Sequence, residues 1–275
     1  MNTPSFCEVD GLHLAYERGG GGETVLLVHG ITTYRFLWAP LLPALRSHYD
    51  VIAVDLPGCG DSDKPLDVSY ALREHAARLK GFLETLGVAR AHLVGHDLGG
   101  GIAQIMAARY PEKFRSLTLI NTVGYDFWPV QPIIAMRTPI IRQLAMASLD
   151  LGALRLIVQR GLYHHERLTP ALMDEFQYPL RTPEGRRAFL HFARCLDNRD
   201  LTDILPQLRR LPIPVLILRG DRDIYLSAAI AERLHADLPD SRLIHIPDAG
   251  HFIQFDAPQA CITHLLGFFE EVAHD

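Results

Sequence analysis

Short, almost continuously apolar runs recur along the chain: Thr24–Val28, Val51–Val54, Ala91–Val94, Leu117–Ile120 and Val215–Leu218. Runs of this length without polar alternation predict strands buried on both faces, as in a parallel sheet. Ahead of them, residues 5–17 alternate around Asp10-Gly11, which predicts a β-hairpin, and Gly19 to Gly22 follows as a flexible turn. Helical periodicity fills residues 69–86 and 98–109. Leu243–Ile246 adds a last strand before a helix expected from about Pro258 to Val272. Strands alternating with helices predict an α/β fold with a mostly parallel central sheet and flanking helices.

The alternation stops after Thr122. Up to Leu211 the sequence breaks into helical pieces punctuated by prolines 129, 132, 139, 170, 179, 183 and 206. This predicts a helical cap over residues 123–210, inserted into a core made of residues 1–122 and 211–275. A cap after the sixth strand would cover the carboxyl ends of the strands, where open α/β sheets bind ligands. The most apolar part of it, Pro132 to Val158, is interrupted by Arg137, Arg142, Asp150 and Arg155. It therefore reads as amphipathic helix and not as a membrane span.

Composition narrows the partners. Over 275 residues, 27 basic and 32 acidic side chains leave a formal charge of −5, with no long block of one sign. That disfavours nucleic acid and anionic membranes and suits a small organic ligand. The four cysteines, Cys7, Cys59, Cys195 and Cys261, have neither CxxC nor Cys/His ligand spacing, so neither zinc nor a disulfide framework is expected. The start, Met1-Asn2-Thr3-Pro4-Ser5-Phe6, lacks the basic and apolar segments of a secretory signal, and a cytoplasmic location is expected. Oligomeric state is not legible.

The candidate chemistry centres on Gly95-His96-Asp97-Leu98-Gly99, placed between the run ending at Val94 and the helix from residue 98. Strand, sharp turn and helix in this order raise the central residue above the sheet, and glycines on either side let strand and helix approach. A carboxylate at that tip suits displacement of a leaving group from saturated carbon, leaving an alkyl ester on the enzyme. The amides at the start of the following helix favour its ionised form.

Three further motifs occur in order: His29-Gly30 after a strand, Gly220-Asp221-Arg222-Asp223 after a later strand, and Asp248-Ala249-Gly250-His251-Phe252 near the end. Together with the elbow they resemble the α/β-hydrolase superfamily over nearly the whole chain. With aspartate at the elbow, the chain is similar to the branch holding epoxide hydrolases and haloalkane dehalogenases. The resemblance implies a cofactor-independent hydrolase with Asp97 as nucleophile and His251 as base for the hydrolytic water. Asp223 would orient His251, with Asp221 as its competitor, and the backbone amides of Ile31 and Leu98 would form the oxyanion hole.

The substrate end departs from that branch, which usually has proline two residues after His-Gly and tryptophan after the nucleophile; here those positions hold Thr32 and Leu98. The dehalogenase positions for halide donors hold Ile31 and Leu98, both apolar, which weighs against an ordinary haloalkane dehalogenase. Epoxide opening needs a donor to the ring oxygen, supplied in epoxide hydrolases by two cap tyrosines. Tyr125 and Tyr163 are the first candidates, with Tyr178 a further cap tyrosine, and Phe192-Ala193-Arg194 lacks the second tyrosine expected there. Trp38 and Trp128 are candidate pocket residues. The expected ligands are a small apolar or amphipathic organic molecule and water. The expected activity is epoxide hydrolase-like, with haloalkane or haloacid dehalogenation, ester or lactone hydrolysis, and a non-catalytic binding protein on the same fold as alternatives.

Overall fold

In the computed structural model, which describes residues 3–126 and 152–274, the apolar runs assemble into one eight-stranded sheet of order β1-β2-β4-β3-β5-β6-β7-β8. The strands are β1 (Ser5–Val9), β2 (Leu12–Gly19), β3 (Thr24–Val28), β4 (Asp50–Val54), β5 (Ala91–Asp97), β6 (Phe114–Thr122), β7 (Val215–Gly220) and β8 (Ser241–Ile246). The predicted hairpin is β1–β2, and β2 joins β4 antiparallel. All later pairings are parallel. β3, β5, β6 and β7 carry the sheet's interior, and their apolar side chains are buried on both faces.

Helices α1 (Leu42–Arg46), α2 (Leu72–Thr85) and α3 (Leu98–Arg109) lie in the first half of the core. α2 buries Leu72, His75, Ala76, Leu79, Phe82 and Leu83, a single face at helical spacing. α3 is buried from Leu98 to Ala107, because the sheet covers one side and α2 and the cap helices the others. Its glycines allow the close approach. A Cβ on Gly99 would lie 2.2 Å from the Val28 carbonyl oxygen, and one on Gly100 would lie 2.2 Å from Thr122 Oγ1.

Between β6 and β7 the described residues form helices and no strand: α4 (Ala153–Gly161), α5 (Pro170–Gln177), α6 (Pro183–Cys195), α7 (Arg199–Thr202) and α8 (Leu205–Leu208). Thr169 and Thr182 cap α5 and α6 by accepting from Leu172 N–H and Gly185 N–H. The chain closes with α9 (Ala228–Asp237), α10 (Ile253–Asp256) and α11 (Pro258–His274). No helix among the described residues is long and apolar enough to cross a membrane.

Candidate active site

Asp97 ends β5 and precedes α3 with φ 55° and ψ −121°. A non-glycine residue in this region is strained by roughly 1–3 kcal/mol and persists only where its surroundings fix it. Here they do. The β5–β6 register shifts between His96 and Asp97, and Val123 N–H donates to the Asp97 carbonyl. The tilt turns the carboxyl toward the loop after β3, where Ile31 N–H donates to Asp97 Oδ2 at 3.4 Å. The adjacent Leu98 N–H also favours charge on the carboxyl group. Two backbone donors thus converge on one carboxyl group, an arrangement that stabilises negative charge on its oxygens.

His29 fixes the Ile31 loop. Its Nδ1 lies 2.7 Å from the Gly30 carbonyl oxygen, and Leu56 N–H donates to its Nε2 at 3.0 Å. The ring is therefore neutral with its proton on Nδ1. Burial pushes its pKa down to about 4. A Cβ on Gly30 would lie 2.2 Å from Asp97 Oδ2, so the loop and the carboxylate touch without a side chain between them.

His251, buried in the turn before α10, places Nδ1 3.0 Å from Asp223 Oδ2. Asp221, the competing acid, instead bonds His245 at the surface. Asp223 Oδ1 accepts from Tyr225 N–H at 2.8 Å and Leu226 N–H at 3.2 Å. Burial opposes charge on both partners, but their mutual attraction outweighs it: the His251 pKa lies above the ordinary imidazole value and the Asp223 pKa below the ordinary carboxylate value. With Nδ1–H directed at Asp223, His251 Nε2 has no hydrogen-bond partner among the described residues. Burial raises the Asp97 pKa, partly offset by His251 and by the Leu98 and Ile31 amides.

Three residues that sequence reasoning missed hold this pair. Arg219, buried on β7, donates from Nη1 to the same Asp223 Oδ2 at 3.2 Å. Asn121, at the end of β6, donates from Nδ2 to the carbonyls of Gly250 and His251 and accepts from Gly220 N–H. His96 Nε2 lies 2.9 Å from the His251 carbonyl oxygen, and burial with the adjacent His251 lowers its pKa to about 3. A lone polar residue at the end of an apolar strand was the available signal for Arg219. Aromatic rings stand beside the pair: Tyr225 is 5.4 Å from the His251 ring, and Phe252 is packed edge-on against Phe176 of α5 at 4.8 Å.

The expected substrate contacts fall elsewhere. Tyr125 donates its hydroxyl to Asp237 of α9 at 3.0 Å, and Arg233 covers its ring. It is directed to the outer helix layer. Tyr163 is 42% exposed and lies against Arg222. The Tyr125 hydroxyl is thus bonded to Asp237, and the Tyr163 ring lies beside Arg222 and His164. Tyr178 bonds Asp61. Trp38 belongs to a short 3-10 turn whose four residues are all buried, and it packs in the core without a pocket-facing surface. Trp128 lies outside the described residues.

Residues 23–258 match the family model described as alpha/beta hydrolase fold. The chain belongs to this family. This α/β hydrolase is 30% identical over 95% of its length to the uncharacterized hydrolase YugF of Bacillus subtilis (96% of that protein). It is 31% identical to haloalkane dehalogenase 2 of Mycobacterium tuberculosis, covering 92% of this chain and 90% of the other. Its structure is similar to that of haloalkane dehalogenase DbeA from Bradyrhizobium elkani USDA94, with TM-score 0.88, 26% identity and 99% of each chain covered. It is an enzyme of the α/β-hydrolase fold, related to haloalkane dehalogenases.

Proposed function

We propose that this hydrolase cleaves a small apolar or amphipathic substrate through an ester on Asp97. The observation that carries the reading is a carboxylate, in place of a hydroxyl, at the strained elbow, facing two backbone amides and a buried His251–Asp223 pair. A carboxylate needs no base to attack. One Asp97 oxygen bonds the substrate carbon as the bond from that carbon to the leaving group breaks, and the electron pair departs with the leaving group. Water then gives a proton to His251 Nε2 while its oxygen attacks Asp97 Cγ. The oxyanion formed on Asp97 draws on the Ile31 and Leu98 amides, and collapse breaks the bond from Cγ to the ester oxygen, the one that attacked, which leaves on the substrate carbon. The product alcohol takes the proton back from His251. Asp97 keeps one oxygen from water and returns to the carboxylate by releasing water's second proton to solvent.

An epoxide fits the oxyanion side better than an alkyl halide, because Ile31 and Leu98 offer no side-chain N–H to a departing halide. With the Tyr125 hydroxyl bonded to Asp237, the proton for the opening ring comes from Tyr163, another group or water. The relationship to haloalkane dehalogenases favours carbon–halogen cleavage as the second reading. His251→Gln separates the two steps. Mixed with styrene oxide or 1-bromohexane, this variant is expected to gain the mass of the substrate, less that of halide for the bromide, and to hold it. Diol or bromide release by the wild type assigns the leaving group. A His251→Gln protein that gains no mass while the wild type turns over would refute the ester.

A further inference from the structure

The histidine turn is attached to the cap on both sides of His251. Ahead of it, Gly250 N–H donates to Asp256 Oδ2 at 2.8 Å. Behind it, Phe252 N–H donates to the Gly161 carbonyl at the end of α4. Asp256 is 3% exposed and takes two further backbone donors from the cap: Tyr163 N–H on Oδ2 and His164 N–H on Oδ1, both at 2.9 Å. One buried carboxylate therefore gathers the amide beside the base and two successive cap amides. The fit leaves no slack, since a Cβ on Gly250 would lie 2.5 Å from the Gly161 carbonyl oxygen. Buried polar groups held by several partners fix geometry more tightly than their net energy suggests. The sheet side of the turn is held independently by Asn121 and His96 at the His251 carbonyl, so the cap side of the turn depends on Asp256 and the Gly161 carbonyl.

We propose that Asp256 is a positioning residue that makes the seating of cap residues 161–164 and the placement of His251 a single event. The inference rests on the reading of His251 as the base for the second step. Asp256 touches neither Asp97 nor the attacked carbon, so its loss falls on hydrolysis of the ester and spares its formation. A cap lifted from the turn would leave Asp97 able to react and His251 unable to complete the cycle.

Stopped-flow turnover and quenched intact-mass measurement with styrene oxide and 1-bromohexane test this on Asp256→Asn. Replacing one carboxylate oxygen by NH2 sets a donor against backbone donors and loosens the clamp. Ester formation is expected within about threefold of wild type, and hydrolysis slowed by about 10- to 100-fold, the scale of a misplacement near 1 Å. The adduct on Asp97 then accumulates at steady state. Arg167→Ala removes a different cap attachment, the bond from Arg167 Nη1 to the Phe255 carbonyl, and is expected to accumulate none. If Asp256→Asn does not fold, Asp256→Glu keeps the charge, moves the oxygens by one methylene, and is expected to accumulate adduct partially. Wild-type hydrolysis in the folded Asp256 variant, equal loss of both steps, or the same adduct level in Arg167→Ala would overturn the proposal. An adduct in His251→Gln with none in the Asp256 variant would refute the positioning role and leave the ester mechanism standing; no adduct in either would refute the mechanism itself.

Discussion

His29 makes the enzyme's stability depend on acid in a calculable way. In the folded chain its ring donates to Gly30 and accepts from Leu56, and burial holds its pKa near 4, against an ordinary value of 6.5. Below pH 6.5 the unfolded chain takes up a proton at this position and the folded chain does not. Stability is thus fully present above pH 6.5, falls as pH drops, and levels off below about 4. At 1.36 kcal/mol per unit of difference, the loss is about 2 kcal/mol at pH 5 and about 3 kcal/mol at pH 4. Gln at position 29 offers an acceptor for Leu56 and a donor for Gly30 but does not titrate. Urea unfolding of wild type and His29→Gln between pH 7.5 and 4 isolates the contribution. His29→Gln is expected to be less stable at pH 7.5 by about 1 kcal/mol and to lose less on acidification. It will still lose some, because the lowered pKa values of His96 and His75 act in the same direction. Parallel stability profiles for the two proteins would refute the argument.

Two further substitutions probe the site. Gly30→Ala would bring a Cβ to 2.2 Å from Asp97 Oδ2; displacing the carboxylate or the Ile31 amide by about 1 Å is expected to lower kcat about 100-fold, with the melting temperature far less affected. Arg219→Gln removes a cation that opposes charge on His251 and shares its carboxylate oxygen. In the proposed mechanism the neutral imidazole takes the proton from water, so ester hydrolysis is expected to rise with pH through the His251 pKa, already above the ordinary value. The variant's acid limb is expected at higher pH than the wild type's, read from the single-turnover rate constant of ester hydrolysis against pH.

The parts of the fold that were legible are those dictated by local pattern. Burial on both faces makes the runs Val25–Val28, Leu93–Val94 and Val215–Leu218 of β3, β5 and β7 apolar, and the glycines of the elbow are required wherever α3 crosses Val28 and Thr122 so closely. α2 starts at Leu72, three residues later than its periodicity suggested, and β6 extends on both sides of its apolar run. The roles of polar side chains were less legible because their partners are distant in sequence. Tyr125 is drawn away by Asp237, and Asp256 is satisfied by amides of residues 163, 164 and 250. Spacing within a motif cannot encode such pairings. Asp223 faces His251 and Asp221 faces His245 because of where each carboxyl points once β7 and β8 pair.

A single turnover in heavy-oxygen water tests the Asp97 ester most directly. With enzyme in excess over styrene oxide, water attacks Asp97 Cγ, so the account predicts that the heavy oxygen enters the Asp97 carboxylate while the first diol formed carries none from solvent. Peptide mass analysis after proteolysis locates the label. Heavy oxygen in the diol with an unlabelled Asp97 would mean that water attacks the substrate directly, and would contradict the central claim.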